Sequence, residues 1–295
     1  MSLHMQSLSR RLVLVALAGA ATFGLGKAAY ADTLDDIKKA GVLTIGTGVM
    51  GSKPWIWKND DGSYAGVEHE MLQYIAKKLG VAKVDYVPVE WETLIPGLKS
   101  KRFDMIFSSM TVTEDRRQGA GIEFSRPYYF ESDRLVVKGD AAFAKPEDLA
   151  GKTIGVPIGT VEEIQAKQLI EKGIGKDSKS FNDIAGVFLA LNSGQVDAVV
   201  MDNTSLAGQM QVTPNLKIIG GVYNLVVDAK WQDAQTKAPY KFGGDGAGLR
   251  KEDTALLAAI NDALDAMDAD GTRPAILKKY NIWDESLSRA SMMTK

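Results

Sequence analysis

The residues best suited to gripping a small charged molecule fall in one short stretch, Ser108-Ser109-Met110-Thr111-Val112-Thr113-Glu114-Asp115-Arg116. It follows Phe103-Asp104-Met105-Ile106-Phe107, an apolar run of the kind that fills a central strand between covering helices. Ser108 to Thr111 then stand at that strand's carboxyl end, where open α/β sheets bind ligands. Three hydroxyls in four residues suit a buried strand badly, because an unpaired hydroxyl in an apolar interior costs about 1 to 3 kcal/mol. They make sense if a polar group comes to meet them. Thr113 is placed to cap a helix whose first turn holds Glu114, Asp115 and Arg116. The planar fork of Arg116 matches a carboxylate through two parallel hydrogen bonds. Its competing use is a surface ion pair with Glu114 or another acid.

A second charged candidate is Asp202, directly after the apolar run Ala198-Val199-Val200-Met201. A carboxylate at the mouth of a buried strand needs cationic company or water. It can also cap the helix that Asn203-Thr204-Ser205 open, and the two uses are compatible. The loop Pro157-Ile158-Gly159-Thr160, ahead of a helix from Val161 to Lys172, offers backbone N–H groups and a hydroxyl to an anion. Many αβ loops share that form. Trp55 and Trp91 serve a core as readily as a pocket wall. Outside the leader His69 is the lone imidazole, off the apolar face of its helix, and reads as a solvated surface residue.

The elements that must position these groups alternate regularly. A short helix, Leu34 to Ala40, leads into strand Val42 to Ile45, and a Gly-rich end follows at Gly46-Thr47-Gly48. Val67, Met71, Leu72, Ile75, Ala76 and Leu79 share one helical face with Gly80 as the stop. Strand Val84 to Val89 precedes a helix through Leu94, Ile95 and Leu98, which returns to the strand before Ser108. From Thr153 the same order repeats around Val156, Val187 to Leu191 and Ala198 to Met201. This alternation predicts mostly parallel sheets with helices on both faces. A chain that crosses between lobes near residues 130 and 230 builds its first lobe from two separated segments, and two crossings make a hinge. The expected division is 32–130 and 229–295 for the first lobe and 131–228 for the second.

Residues 1–31 stand apart. Arg10-Arg11, the apolar run Leu12 to Ala20 and the small-x-small pattern Ala29-Tyr30-Ala31 read as an export signal cut after Ala31. The paired arginines leave both export routes open. The chain has no cysteine, which excludes disulfides, thiol nucleophiles and a lipid anchor on a cysteine. An exported, unanchored protein is expected in a periplasm. Loss of Arg10, Arg11 and Lys27 with no acid takes the formal charge from −2 to −5, which gives no support for nucleic-acid binding.

With Arg116 and Asp202 both in hand, the chain resembles the polar amino-acid-binding proteins of bacterial ABC importers, the histidine, glutamine and lysine/arginine/ornithine binders. The likeness rests on Leu94-Ile95-Pro96-Gly97-Leu98, Phe103 to Arg116, Phe124-Ser125-Arg126-Pro127-Tyr128, Gly194 to Asp202 and Asp268-Ala269-Asp270-Gly271-Thr272. It implies the type II periplasmic-binding-protein fold, an α/β protein of two lobes joined by a two-stranded hinge. It also implies roles: Arg116 for the ligand α-carboxylate, Asp202 for the α-ammonium, and added hydrogen bonds from Ser108, Ser109, Thr111 and the Gly159-Thr160-Val161 loop, with Trp91 and Trp55 as walls. Two departures stand out. Ser52 replaces the usual aromatic, and Val161 replaces a hydroxyl or glycine.

The function expected is capture of an amino acid or close zwitterionic derivative by closure of the lobes, then delivery to inner-membrane permease subunits. A monomer without catalytic residues, cofactor or metal is expected. The alternative is a cyclohexadienyl dehydratase acting on arogenate or prephenate, with Glu90 or Glu162 as the acid. A separate ligand-sensing subunit for a membrane receptor is a third possibility. Glu68, Glu90 or Glu162 favour a basic side chain if they face the cleft.

Overall fold

A computed structural model describes residues 33–48 and 53–294. The export signal with its cleavage point, and Ser52, lie outside these described residues. In the first part of the chain come α1 (Thr33–Ala40), β1 (Val42–Thr47), β2 (Trp57–Lys58), β3 (Tyr64–Ala65), α2 (Val67–Leu79), β4 (Lys83–Pro88), α3 (Leu94–Lys99), β5 (Met105–Ile106) and β6 (Ile122–Phe124). Next are β7 (Tyr129–Phe130), β8 (Asp133–Lys138), β9 (Thr153–Pro157), α4 (Val161–Glu171), β10 (Asp177–Phe181), α5 (Ile184–Ser193), β11 (Ala198–Asp202), α6 (Asn203–Val212) and β12 (Leu216–Tyr223). The chain ends with α7 (Gln232–Lys237), β13 (Gly244–Asp245), β14 (Gly248–Arg250), α8 (Thr254–Ala269), α9 (Thr272–Lys279) and a last short helix, α10 (Arg289–Met292).

Two five-stranded sheets result, one in the order β4-β1-β5-β14-β6 and the other in the order β10-β9-β11-β8-β12. In each, four strands run one way and one is reversed. The reversed strands are β14 and β8. These are the strands entered just after the short pair β7 and β13, where Gly244 faces Phe130 and Asp245 faces Tyr129. The architecture is therefore α/β, with two lobes, each a mostly parallel sheet, joined by paired strands.

Each sheet is packed on both faces, as continuous apolar strands require. In the first lobe Leu43, Ile45, Met105 and Phe107 meet Met71, Leu72 and Ile75 of α2 and Ile260 and Leu264 of α8 on one side. Ile106 joins Leu94, Leu98 and Phe103 on the other. Gly46 is required there, since a Cβ would lie 2.4 Å from the Phe103 ring. In the second lobe Ile154, Val156 and Val200 pack with Ala166 and Leu169 of α4, while Val199 and Met201 pack with Val187, Phe188 and Leu191 of α5.

Three local expectations change. Within Phe103 to Phe107 the regular strand is only Met105–Ile106, although Asp104 and Phe107 still donate to the Thr44 and Gly46 carbonyls of β1 (2.9 and 3.2 Å), and at its start the Phe103 carbonyl accepts from Arg250 (2.9 Å). The helix expected after Thr113 is a single wide turn, Asp115–Gly119, although the Thr113 hydroxyl still accepts the Arg116 N–H (3.2 Å). His69 is half-buried, its Nδ1 2.7 Å from the Tyr86 hydroxyl and its ring beside Tyr64, so it belongs to an aromatic cluster.

Candidate functional site

The hydroxyl-rich strand end is held in shape from behind. Ser109 takes a left-handed conformation (φ 46°), which L residues adopt only when the surroundings enforce it. Glu68, on the first turn of α2, supplies that constraint: its Oε1 accepts the Ser109 N–H (2.6 Å) and the Tyr128 hydroxyl (2.5 Å). Tyr128 is in turn stacked on Phe107 with ring centres 4.4 Å apart. Burial, opposed by these hydrogen bonds, raises the Glu68 carboxyl to about 7. The Ser108 hydroxyl accepts the Gly48 N–H (2.9 Å) and so ties β5 to the end of β1.

Arg116 leaves its wide turn and folds back over this strand end. Nη1 donates to the Thr111 carbonyl (2.7 Å) and Nη2 to the Gly159 carbonyl of the second lobe (3.3 Å). A guanidinium has five N–H donors, so three remain, one of them on each terminal nitrogen. Burial lowers its pKa to about 10, with Glu162 and Asp245 opposing the fall, and the group is charged at neutral pH. Trp91 lies beside it, the Arg116 Cζ 5.8 Å from the ring centre, and the indole N–H also donates to Gly159 (3.1 Å). Gly159 has φ +72°, the left-handed region that aims this carbonyl back at the first lobe.

Asp202 closes β11 and caps α6, its Oδ1 accepting the Ser205 N–H (2.7 Å) and contacting the Thr204 hydroxyl (2.8 Å). Thr204 Oγ1 also stands 3.1 Å from Glu131 Oε1. The ladder sets Asp133 of β8 opposite Asp202, and an isolated bridge sets Asp245 of β13 against Thr111. Four acids from three separate segments thus crowd the crossing between lobes. Burial first, with repulsion from Asp202 added, holds Glu131 and Asp245 well above the ordinary carboxylate range, Thr111 opposing the rise at Asp245, and burial with repulsion from Glu162 and Asp202 raises Asp133 to about 9. Asp245 is fully enclosed and neither of its oxygens has a hydrogen-bond partner among the described residues. Glu162, buried in the first turn of α4, is raised by burial and by Asp202.

One cavity of about 540 Å³ gathers these groups. Of the residues expected from sequence, Arg116, Asp202, Ser108, Ser109, Thr111, Trp91, Trp55, Thr160 and Val161 line it. Gly159 does not, and acts instead as the acceptor that Arg116 and Trp91 share. Trp55 is both wall and core, packed edge-on against Tyr129 at 4.8 Å. Glu68 and Glu162 line the cavity, whereas Glu90 is exposed outside it. Glu131 is a lining residue that the sequence reading passed over, as it did Asp133, paired with the lining residue Asp202, and Asp245, bridged to the lining residue Thr111. A signal was present: Glu131-Ser132-Asp133-Arg134 is a short polar break between the apolar Tyr128 to Phe130 and Leu135 to Val137, at the place where the chain crosses between lobes.

Residues 43–282 match the description of the bacterial extracellular solute-binding proteins, family 3. The chain is similar to the L-cystine-binding protein TcyJ of Escherichia coli (strain K12), 29% identical over 278 residues, covering 92% of this chain and 96% of that protein. Among solved structures it is similar to a mutant of ArgBP from T. maritima, with TM-score 0.70, 31% identity and coverage of 84% and 99%. It is also similar to the ancestral amino acid-binding protein AncCDT-1, a precursor of cyclohexadienyl dehydratase, with TM-score 0.69, 31% identity and coverage of 85% and 99%.

Proposed function

The chain belongs to the bacterial extracellular solute-binding proteins of family 3, and from that premise we propose that it captures an amino acid or close zwitterionic derivative and delivers it to the permease of an ABC importer. The observation that carries this reading is that Arg116 from the first lobe and Asp202 from the second line one cavity. An α-amino acid bears an anion and a cation on adjacent atoms. Only a cleft with both lobes in place satisfies the two ends together, so occupancy favours closure. The free N–H groups of Arg116 take the α-carboxylate, and Asp202 takes the α-ammonium. Ser108, Ser109, Thr111, Thr160 and the Val161 N–H supply the remaining hydrogen bonds, while Trp55 and Trp91 wall the side chain. Charge-assisted hydrogen bonds of about 1.5 to 3 kcal/mol each, offset by desolvation and lost motion, are enough for the about −8 kcal/mol of a micromolar complex.

The same reading makes 32–130 with 229–295 the first lobe and 131–228 the second, and makes the protein a periplasmic monomer after loss of residues 1–31. A thermal-shift screen of amino acids on ligand-stripped protein tests it. A true ligand raises the midpoint by mass action, and a panel without any shift refutes the reading.

One observation favours a second reading. A carboxyl held well above the ordinary carboxylate range by burial, as Glu131 is beside the likewise raised Glu162, is suited to donate a proton to a departing hydroxyl, which leaves as water while the ring carboxylate leaves as carbon dioxide and its bonding pair forms the new double bond. On this second reading the protein would act as a cyclohexadienyl dehydratase on the same fold. Incubation with arogenate or prephenate decides, since a pure binding protein leaves both unchanged.

A further inference from the structure

At one place the two lobes meet backbone against backbone. A Cβ added to Gly208, in the middle of α6, would lie 2.8 Å from the Lys53 carbonyl oxygen, closer than real Cβ contacts come. The contacts that Arg116 and Trp91 make with Gly159 use side chains, which can turn aside. Here neither partner can give way. The strip that begins at Lys53 is fixed to the first lobe, because the Pro54 and Trp55 carbonyls accept the Val67 and Glu68 N–H groups at the start of α2 (2.9 and 3.0 Å). The Trp55 ring is also buried, edge-on to Tyr129. On the other side α6 is fixed to the second lobe by the Asp202 cap and by Leu206, which is buried with Val199 and Met201. A side chain at position 208 therefore has to be taken up by the hinge.

The same two residues mark a boundary. Lys53 and Gly208, with Gln211, line both the ligand cleft and a second cavity of about 680 Å³. That second cavity has α6 residues on one wall and Trp57 and Trp283 of the first lobe on another, and it reaches the hinge strand β7 at Tyr129 and Phe130. Where Gly208 meets Lys53, the two spaces are divided. Asp202, assigned to the ligand's ammonium, is the N-cap of the same helix, six positions before Gly208 and so about 9 Å away along its axis. Withdrawal of α6 at Gly208 carries Asp202 away from Arg116.

We propose that Gly208 is a positioning residue for ligand capture: its missing side chain lets α6 settle on the Lys53 carbonyl, which sets how far the lobes close and shuts the bound ligand off from the second cavity. This rests on the amino-acid-binding reading above and adds to it a residue that acts through Asp202. Glycine is otherwise a poor choice at this position. It lies in a helix interior without a left-handed angle, where alanine is the better helix former. Local stability and closure thus make opposite demands on one residue. The ligand-free, open protein gains nothing from the glycine, and the closed one depends on it.

Gly208→Ala and Gly208→Leu, both favourable to a helix, test this on ligand-stripped protein. The probes are the common L-amino acids, and the one that the unsubstituted protein binds most tightly is carried through. The ligand-free melting temperature of Gly208→Ala should be unchanged or higher. Calorimetry should nevertheless give binding weaker by about 5-fold or more for alanine and about 50-fold or more for leucine, as side chains of growing size are forced against a fixed carbonyl. The loss should appear as faster dissociation, with association rates within about 3-fold of each other. Small-angle X-ray scattering at saturating probe should show the unsubstituted protein contracting and Gly208→Leu keeping its ligand-free dimensions. Variants that bind and contract like the unsubstituted protein overturn the proposal and leave the amino-acid reading intact. So does an affinity loss that only accompanies a lower ligand-free melting temperature in Gly208→Ala, the mark of a residue needed for folding. Binding of none of the amino acids by the unsubstituted protein overturns that reading, and the proposal with it.

Discussion

Arg116 Nη2 donates to the Gly159 carbonyl at 3.3 Å, so the side chain assigned to the ligand's carboxylate also bridges the two lobes. The bond crosses from a turn after β5 to the loop before α4, and Nη1 is fixed on Thr111 in its own lobe. Replacing Arg116 by Ala should cost about 2 to 5 kcal/mol of affinity, because the bound carboxylate loses its partner in a desolvated site. Arg116→Lys should recover little, since one ammonium cannot hold Thr111, Gly159 and a carboxylate in three directions. Calorimetry with the ligand found in the screen gives both values. An Ala variant with wild-type affinity contradicts the role given to this residue.

Trp91 makes a separable contribution through the same carbonyl. Trp91→Phe keeps an aromatic wall and removes the N–H that reaches Gly159 at 3.1 Å. The loss should be about 0.5 to 1.5 kcal/mol, the net value of one hydrogen bond. It should appear in ligand affinity and barely in the melting temperature of the second lobe's core, to which Trp91 contributes nothing. A larger loss of stability than of affinity would show that Trp91 acts mainly as packing.

The hinge acids predict an unusual dependence of stability on pH. Burial holds Glu131, Asp133 and Asp245 protonated in the folded chain, with Asp133 raised to about 9. The unfolded chain releases the same protons near pH 4, as ordinary carboxylates do at about 3.9 to 4.3. Between those limits the native state binds more protons, so stability falls as pH rises. The ligand-free melting temperature should decline from pH 5 to pH 9. Asp245→Asn, which copies the protonated form, should stabilise by about 1 to 3 kcal/mol at pH 8 and by little at pH 5. An equal effect at both pH values counts against a protonated Asp245.

Ligand binding should carry the opposite pH signature. Glu131 faces Asp202, Asp245, Glu162 and Asp133, and Glu162 faces Asp202 and Arg116. Glu131 is held well above the ordinary carboxylate range, so an α-ammonium bound beside it draws a proton out of the cleft, and affinity should climb as pH rises. Calorimetry in two buffers of different ionisation enthalpy measures the protons released. Release of none, with flat affinity from pH 6 to 9, contradicts ionisation of Glu131 on binding.

Gly46 gives a test of the fold alone. An alanine there places Cβ 2.4 Å from Phe103, in a core that has no room to give, and Gly46→Ala should destabilise by about 1 to 3 kcal/mol. Chemical denaturation checks it, and an unchanged midpoint means Phe103 can move.

The sequence made the two-lobed architecture legible because its signals are local. Ala198 to Met201 is continuous and apolar, Val42 to Ile45 is broken only by Thr44, and α2 shows its buried face over thirteen residues with the Gly80 stop directly after. Asp202 was visible as a charge at the end of a buried strand, and Arg116 as a charge in the turn that follows a hydroxyl-rich strand end. The acid cluster was not, because its members lie at residues 131, 133, 202 and 245 and meet only through the hinge pairing and the β8–β11 ladder. Asp245 in particular sits among glycines, where an aspartate reads as a turn residue. The capture of the Phe103 carbonyl by Arg250 was also hidden, since that side chain arrives from far along the sequence.

Each lobe receives the crossing chain through its one reversed strand, β8 in one sheet and β14 in the other, and both stand inside their sheets with neighbours on either side. The bending point is therefore only the two residue pairs of β7 and β13. A carrier that loads and unloads cargo through many rounds has to flex without fatigue. Anchoring the swivel in the middle of two rigid plates confines wear to a pair of short ribbons and spares the cores from partial melting at each cycle.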